Sequence, residues 1–212
     1  MTSPKPRDTR NKGVTRSMVA AAAAGVLEDG GIAKLSMRQV AMRLGVSPMA
    51  LYNHVQSKDE LLALLADHLR SQVVVDPGLP PRDQLLSLLT QLRDLGARHP
   101  SLLEGASSLN TSTDAAQLAV LELRLLRELG LSSTQVRTAY QGLVLLVTGA
   151  AVVWRARATD PGETDRLKEQ IRAAASPEDV GHLDELDALP HQTQDEAFVL
   201  AVDQVLRAAA LS

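Results

Sequence analysis

An all-α fold is predicted by three features of this 212-residue sequence. Apolar residues recur at three- and four-residue spacing, the helix formers Ala, Leu, Arg, Gln and Glu dominate, and Val, Ile, Thr and the aromatics nowhere alternate over a strand length. An apolar share of 45% with 22% charged residues describes an ordinary globular chain of one or two domains. The absence of cysteine excludes a disulfide framework, a thiolate metal site and a cysteine nucleophile, and fits a reducing cytoplasm.

The first helix is expected over 15–29. The basic residues before its apolar run 18–27 imitate a secretory signal, but Glu28 and Asp29 close the run and a patterned segment follows at once. Gly30 and Gly31 then offer a left-handed cap that costs glycine nothing sterically. Ser36 with Gln39 forms a capping box for a second helix, which stops at Gly45. Ser47 before Pro48 is an N-cap with proline at the first helical position, giving a third helix over 48–54. Ser57 with Glu60 repeats the box and opens a fourth helix to about residue 74.

Val40, Ala41, Leu44, Val46, Leu51 and Val55 fall on the inner faces of the two short helices, turned sharply at Gly45. They lean on Ala21, Ala24 and Leu27 of the first helix and on the fourth. Met49, Ala50, Tyr52, Asn53 and His54 are left facing outward beside Arg38 and Lys58. That is a helix-turn-helix, whose second helix enters the major groove while the first crosses the backbone. Charge agrees: through Glu60 the chain holds nine Lys or Arg against five Asp or Glu, whereas the remainder holds 13 against 20. A net charge of −3 thus hides a basic first third.

The stretch LSMRQVAMRLGVSPMALYNHVQSKDELL, residues 35–62, resembles the DNA-binding signature of the TetR family of transcriptional regulators, with the likeness covering about 15–65. The resemblance implies a basic tail over 1–14, a helix-turn-helix domain over 15–60, and a bridging helix into a helical ligand-binding and dimerisation domain over 61–212. It further implies that Arg38 reaches a base, for which guanine is the usual arginine partner, while Ser36 and Lys58 hold phosphates. Ser47, Pro48, Met49 and Ala50 would lead the recognition helix. Tyr52, Asn53 and His54 stand where the family touches backbone or base edges, although a bulky aromatic often takes the place of Asn53.

Beyond the break at VDPGLPP, helices are expected over 82–98, 101–107 and 114–129, with a loop at SLNTSTD. The capping box from Ser132 to Gln135 leads a long apolar helix to about residue 157. Its run 142–153 falls short of the roughly 20 residues a membrane span needs, and reads as a buried helix. Gly142, Gly149, Ala150 and Ala151 invite close helix approach. A helix to Ala174 and a final amphipathic helix from about 193 complete the chain. The segment 160–190, which includes the helix to Ala174, reads as acidic and mobile in its remainder, with Glu178, Asp179, His182, Asp184, Glu185 and Asp187 a solvated run.

Polar candidates for lining a cavity in the second domain are His68, His99, Asn110, Gln117, Tyr140, Gln141 and Thr148. No nucleophile elbow, phosphate-binding glycine loop, cofactor fingerprint or pair of histidines at ligand spacing is present, so neither an enzyme nor a cofactor or metal is expected. The expected molecule is a cytoplasmic homodimeric repressor without a membrane role. Its partners are a double-stranded DNA operator, an inverted repeat, and a small-molecule effector that releases it.

Overall fold

A computed structural model of the chain describes residues 13–100, 113–160, 162–176, 179–181, 183–184 and 193–211, and every regular element among them is helical. The expected short helix at 101–107, the following loop with Asn110, and Glu178, His182, Glu185 and Asp187 lie outside the described residues. The chain divides into two compact units: residues 13–74 with 113–118, and residues 75–100 with 119–211.

In the first unit, α1 (Arg16–Lys34) starts at Thr15, whose hydroxyl accepts from the Met18 amide at 3.2 Å. The regular path breaks at Gly31, where φ is 70°, one residue into the expected stop. Val19, Ala20, Ala23, Ala24 and Leu27 are buried. Ala21 is exposed, contrary to expectation, because the helical repeat puts 20, 23, 24 and 27 on one face and 21 outside it.

Helix α2 (Met37–Leu44) is capped by Ser36, which accepts from the Gln39 amide at 3.3 Å, and ends at Gly45 in the left-handed region, φ 69° and ψ 28°. The Gly45 and Val46 amides turn back to the carbonyls of Met42 and Ala41, closing the last turn. Helix α3 (Pro48–Tyr52) is two residues shorter than expected; Ser47 accepts from the Ala50 amide at 3.2 Å. Helix α4 (Lys58–Arg70) starts at Ser57 and stops four residues early. Leu35, Val40, Ala41, Leu51, Val55, Leu61 and Leu65 are almost wholly buried, whereas Leu44 and Val46 are only half-buried. Helix α1 packs on α2 and α4, and α2 on α3.

In the second unit, α5 (Pro81–Arg98) opens on proline, and the Gln84 amide group donates to the Leu79 carbonyl at 2.7 Å to tie down the preceding turn. Helix α6 (Thr113–Glu128) starts among the residues of the first unit and is stopped by Gly130 at φ 87°. Helix α7 (Ser133–Thr159) carries the complete Ser132/Gln135 capping box. Helix α8 (Glu163–Ala174) follows, then α9 (Gln194–Ala210), opened by a Thr193/Glu196 capping box. Both α5 and α9 pack on α7. The core is Leu85, Leu88 and Leu89 of α5, Val136, Ala139, Leu143 and Ala151 of α7, and Phe198, Val202 and Ala209 of α9.

A Cβ on Gly142 would lie 2.9 Å from a Val205 methyl, so this glycine sets the close approach of α7 and α9; one on Gly149 would meet open space. Asp203 receives a forked pair from Arg82 at 2.7 to 3.1 Å. The reading of 142–153 as a buried helix is corrected. Val144, Leu145, Val152 and Val153 are exposed, because only one face of α7 meets its neighbours. By length and composition alone α7, 27 residues long with an 18-residue window of mean hydropathy 1.5, would suffice to cross a bilayer.

Candidate nucleic-acid interface and effector-side residues

The first unit presents a short helix with its apolar anchors on one side and its other side open. Leu51 and Val55 are fully buried, while Met49 is 74% exposed and Pro48, Tyr52 and Asn53 are exposed as well. Ala50 and His54 are half-buried. Ser36, Ser47 and Ser57 each spend a side-chain lone pair on their own helix start. A hydroxyl retains its proton and a second lone pair when it caps, so capping and phosphate contact are compatible for Ser36 and Ser47.

Arg38, on the first turn of α2, and Lys58, the first residue of α4, are exposed and make no ion pair among the described residues. Two other basic residues differ. Arg43 pairs with Asp29 on α1, its guanidinium lying over Gly25 where any Cβ would strike it. Arg16 pairs with Glu60 and also donates to the His54 carbonyl, at 2.7 and 2.6 Å. The Glu60 carboxyl is held below its ordinary range first by the Gln56 amide, 2.8 Å away, and then by Arg16. The basic first third is therefore partly neutralised from within.

The candidates proposed to line a cavity are scattered. His68 is half-buried on α4, its ring 3.4 Å from the Gln72 amide group, and belongs with exposed Gln117 to the first unit. Half-buried His99 caps α5 in the second unit. Gln141 and Thr148 are exposed on α7, on the same face as Val144, Leu145 and Val152. Tyr140 is half-buried, and its hydroxyl pKa is raised by burial and then by the charge of Glu122.

Glu122 was missed by the sequence reading. It is 5% exposed on α6, its Oε1 has no hydrogen-bond partner, and burial pushes its carboxyl up to about 7. The first unit holds a related group: Arg70 Nη1 and Asp67 Oδ1 are buried without partners, and burial lowers the Arg70 pKa against the charges of Asp67 and Asp114.

The second unit also contains an open cleft of about 780 Å³, bordered by Arg93, Asp94, Arg98, Trp154, Arg155 and Asp195. The Arg93 guanidinium is clamped between the Trp154 and Phe198 rings, 4.2 and 4.7 Å from their centroids, with Asp94 and Asp195 at 2.7 and 2.8 Å. No signal in the sequence joins these residues, which come from three helices. Asp179 and Asp184 of the acidic run are spoken for, Asp179 by Ser176 and Asp184 by Arg172 at 2.6 Å. No group of three or more potential metal ligands occurs among the described residues.

Residues 19–65 match the model of a family described as bacterial regulatory proteins, tetR family. The chain is 32% identical over 142 residues to the HTH-type transcriptional repressor DrrR1 of Streptomyces coeruleorubidus, a match covering 65% of this chain and 53% of that protein. The curated relatives it matches are spanned over only 38% and 53% of their lengths. It is 30% identical to BioQ, solved with its double-stranded DNA operator, over 76% of this chain and 99% of that one, at a TM-score of 0.58. It shares its fold with the Streptomyces coelicolor protein ActR, solved in complex with actinorhodin. There the TM-score is 0.74 and the identity 24%, over 93% of this chain and 96% of that one.

Proposed function

The chain belongs to the TetR family of bacterial regulatory proteins, and from that premise we propose that it is a homodimeric transcriptional repressor of the cytoplasm, released from an inverted-repeat operator by a small molecule. The observation that carries this reading is the outward side of α3. Pro48, Met49, Tyr52 and Asn53 are exposed on a helix that the buried Leu51 and Val55 hold from behind, with Arg38 and Lys58 unpaired nearby in sequence and open to solvent. Met49, 74% exposed, adds little burial to the fold, and a thymine methyl in the major groove would cover it.

In this reading Arg38 reads a base and Lys58 holds a phosphate. Ser36 and Ser47 add phosphate contacts from their caps, and Ala50, Tyr52, Asn53 and His54 complete the contact surface. The effector belongs to the second unit, where the buried Glu122 has an Oε1 without a hydrogen-bond partner among the described residues and the half-buried Tyr140 lies within reach of its charge. Such a group is what a polar ligand would pair with. The operator-bound relative and the ligand-bound neighbour support both halves by analogy.

The test is to select duplexes from a randomised pool with the wild-type chain, then measure affinity against salt. Arg38→Ala should weaken the selected duplex by about 1–3 kcal/mol and relax preference at one position, whereas Lys58→Ala should weaken all duplexes alike and lower the log-log salt slope by roughly one. Equal losses on selected and scrambled duplexes for both variants would refute the assignment of Arg38 as a reader.

A further inference from the structure

Arg16 stands at the start of α1 inside the basic segment, where a phosphate contact would be the simplest role for it. Its geometry says otherwise. One nitrogen, Nη1, donates to the His54 carbonyl just beyond α3 at 2.6 Å and to Glu60 Oε1 on α4 at 2.7 Å. The other carboxylate oxygen, Glu60 Oε2, accepts from the Gln56 amide at 2.8 Å, and the Glu60 amide donates to Ser57 Oγ at 3.0 Å. The ion pair therefore holds this segment at two backbone points, the His54 carbonyl and the Gln56 amide, while the Ser57 hydroxyl separately caps the start of α4.

Helix α3 needs such support. Five residues make little more than one turn, which cannot persist by itself, and the last carbonyls of any helix lack internal partners. Leu51 and Val55 fix how deep α3 sits, being fully buried. Packing on α2 and the Ser47 cap hold the start of α3, and the hydrogen bond from Arg16 to the His54 carbonyl adds a fixed point beyond its other end.

We propose that Arg16 is a positioning residue for the recognition helix and not a DNA contact: with Glu60 it locks the C-terminal end of α3 against α1 and α4, so that α3 meets the groove already oriented. The inference rests on the DNA-binding reading above. The pair is half open to water, 54% exposed at Arg16 and 34% at Glu60, so it adds little to global stability, and its effect lies in orientation.

The partner acid makes the idea testable, because Glu60 is negative and a negative charge beside DNA opposes binding. Arg16→Gln, Glu60→Gln and the double variant are compared with the wild type. The probes are the duplex selected by the wild-type chain from a randomised pool and a scrambled duplex of equal length, over a range of salt. Thermal unfolding and active-fraction titration accompany each. The lock predicts that each single change weakens the selected duplex on the order of tenfold, that the double change is no worse than either, and that scrambled binding, salt slope and unfolding temperature stay put.

A phosphate contact predicts opposite signs: Arg16→Gln would weaken both duplexes and lower the salt slope by about one, while Glu60→Gln would strengthen both. That result overturns the proposal, as does a loss that is additive in the double variant. If the wild-type chain enriches no sequence at all, the regulator reading falls and this inference with it.

Discussion

Burial gives the Glu122 carboxyl an ionisation near pH 7 in the folded protein, against 4.5 when it is free. The direction of the consequence follows from linkage. The folded state holds this proton more tightly than the unfolded chain, so the group's contribution to stability is complete below pH 4.5 and is lost as pH rises towards 7. The shift corresponds to about 3 kcal/mol. Glu122→Gln keeps the shape without the charge, so the variant should match the wild type near pH 5 and exceed its stability at pH 8. Urea unfolding followed by helicity at the two values measures this, and parallel pH profiles would contradict it. Residues of this sort were not legible in the sequence, nor were Arg16, Arg43 and Arg93. Arg16 meets Glu60 across 44 positions, and Arg93 lies between rings contributed by α7 and α9. The caps at Ser36, Ser47, Ser57 and Ser132 were legible because their chemistry closes within three residues.

Gly45 ends α2 and, with Ser47 and Pro48 opening α3, sets the turn between the two helices. Its φ of 69° and ψ of 28° are left-handed, and a Cβ there would meet nothing within 4 Å, so a side chain would be resisted by the backbone alone. Gly45→Ala should therefore destabilise the chain by about 1–2 kcal/mol, and Gly45→Asn by less, since asparagine tolerates this region. An alanine variant as stable as wild type in denaturant unfolding would show that the turn is not held in this conformation. The same contrast explains which element ends were readable. Those marked by glycine, proline or a serine cap stood within a residue of their expected places, except at Gly30 and Gly31, where helix resumes after the break and carries α1 to Lys34 instead of stopping at 29. Helix α4 stops at Arg70 and α3 at Tyr52 without such a marker. After α4 the consecutive Val73, Val74 and Val75, stiff at their branched carbon, weigh against further helix, a mild preference that the helical spacing upstream conceals.

A protein domain must hide an apolar face somewhere, and α7 hides only one of its two. The buried side, Val136, Ala139, Leu143 and Ala151, meets α5 and α9. The other carries Gln141, Val144, Leu145, Thr148, Gly149 and Val152 at helical spacing, with Leu145 75% exposed. Core and interface are written in the same residues, which is why the sequence reads α7 as buried without saying against what. A second copy is the occupant the regulator reading requires, because a two-fold dimer aligns two recognition helices with an inverted repeat, and Gly149, with open space around it, would let the paired helices approach. Leu145→Glu places a charge in the centre of that face. It should convert a sedimenting dimer to a folded monomer of unchanged helicity, and weaken operator binding by at least a hundredfold at nanomolar protein, since each half-site must then be bound separately. Scrambled duplexes should lose far less. A wild-type chain that sediments as a monomer at micromolar concentration would remove the dimer. Co-pelleting with lipid vesicles, abolished by the same substitution, would assign the stripe to a membrane instead.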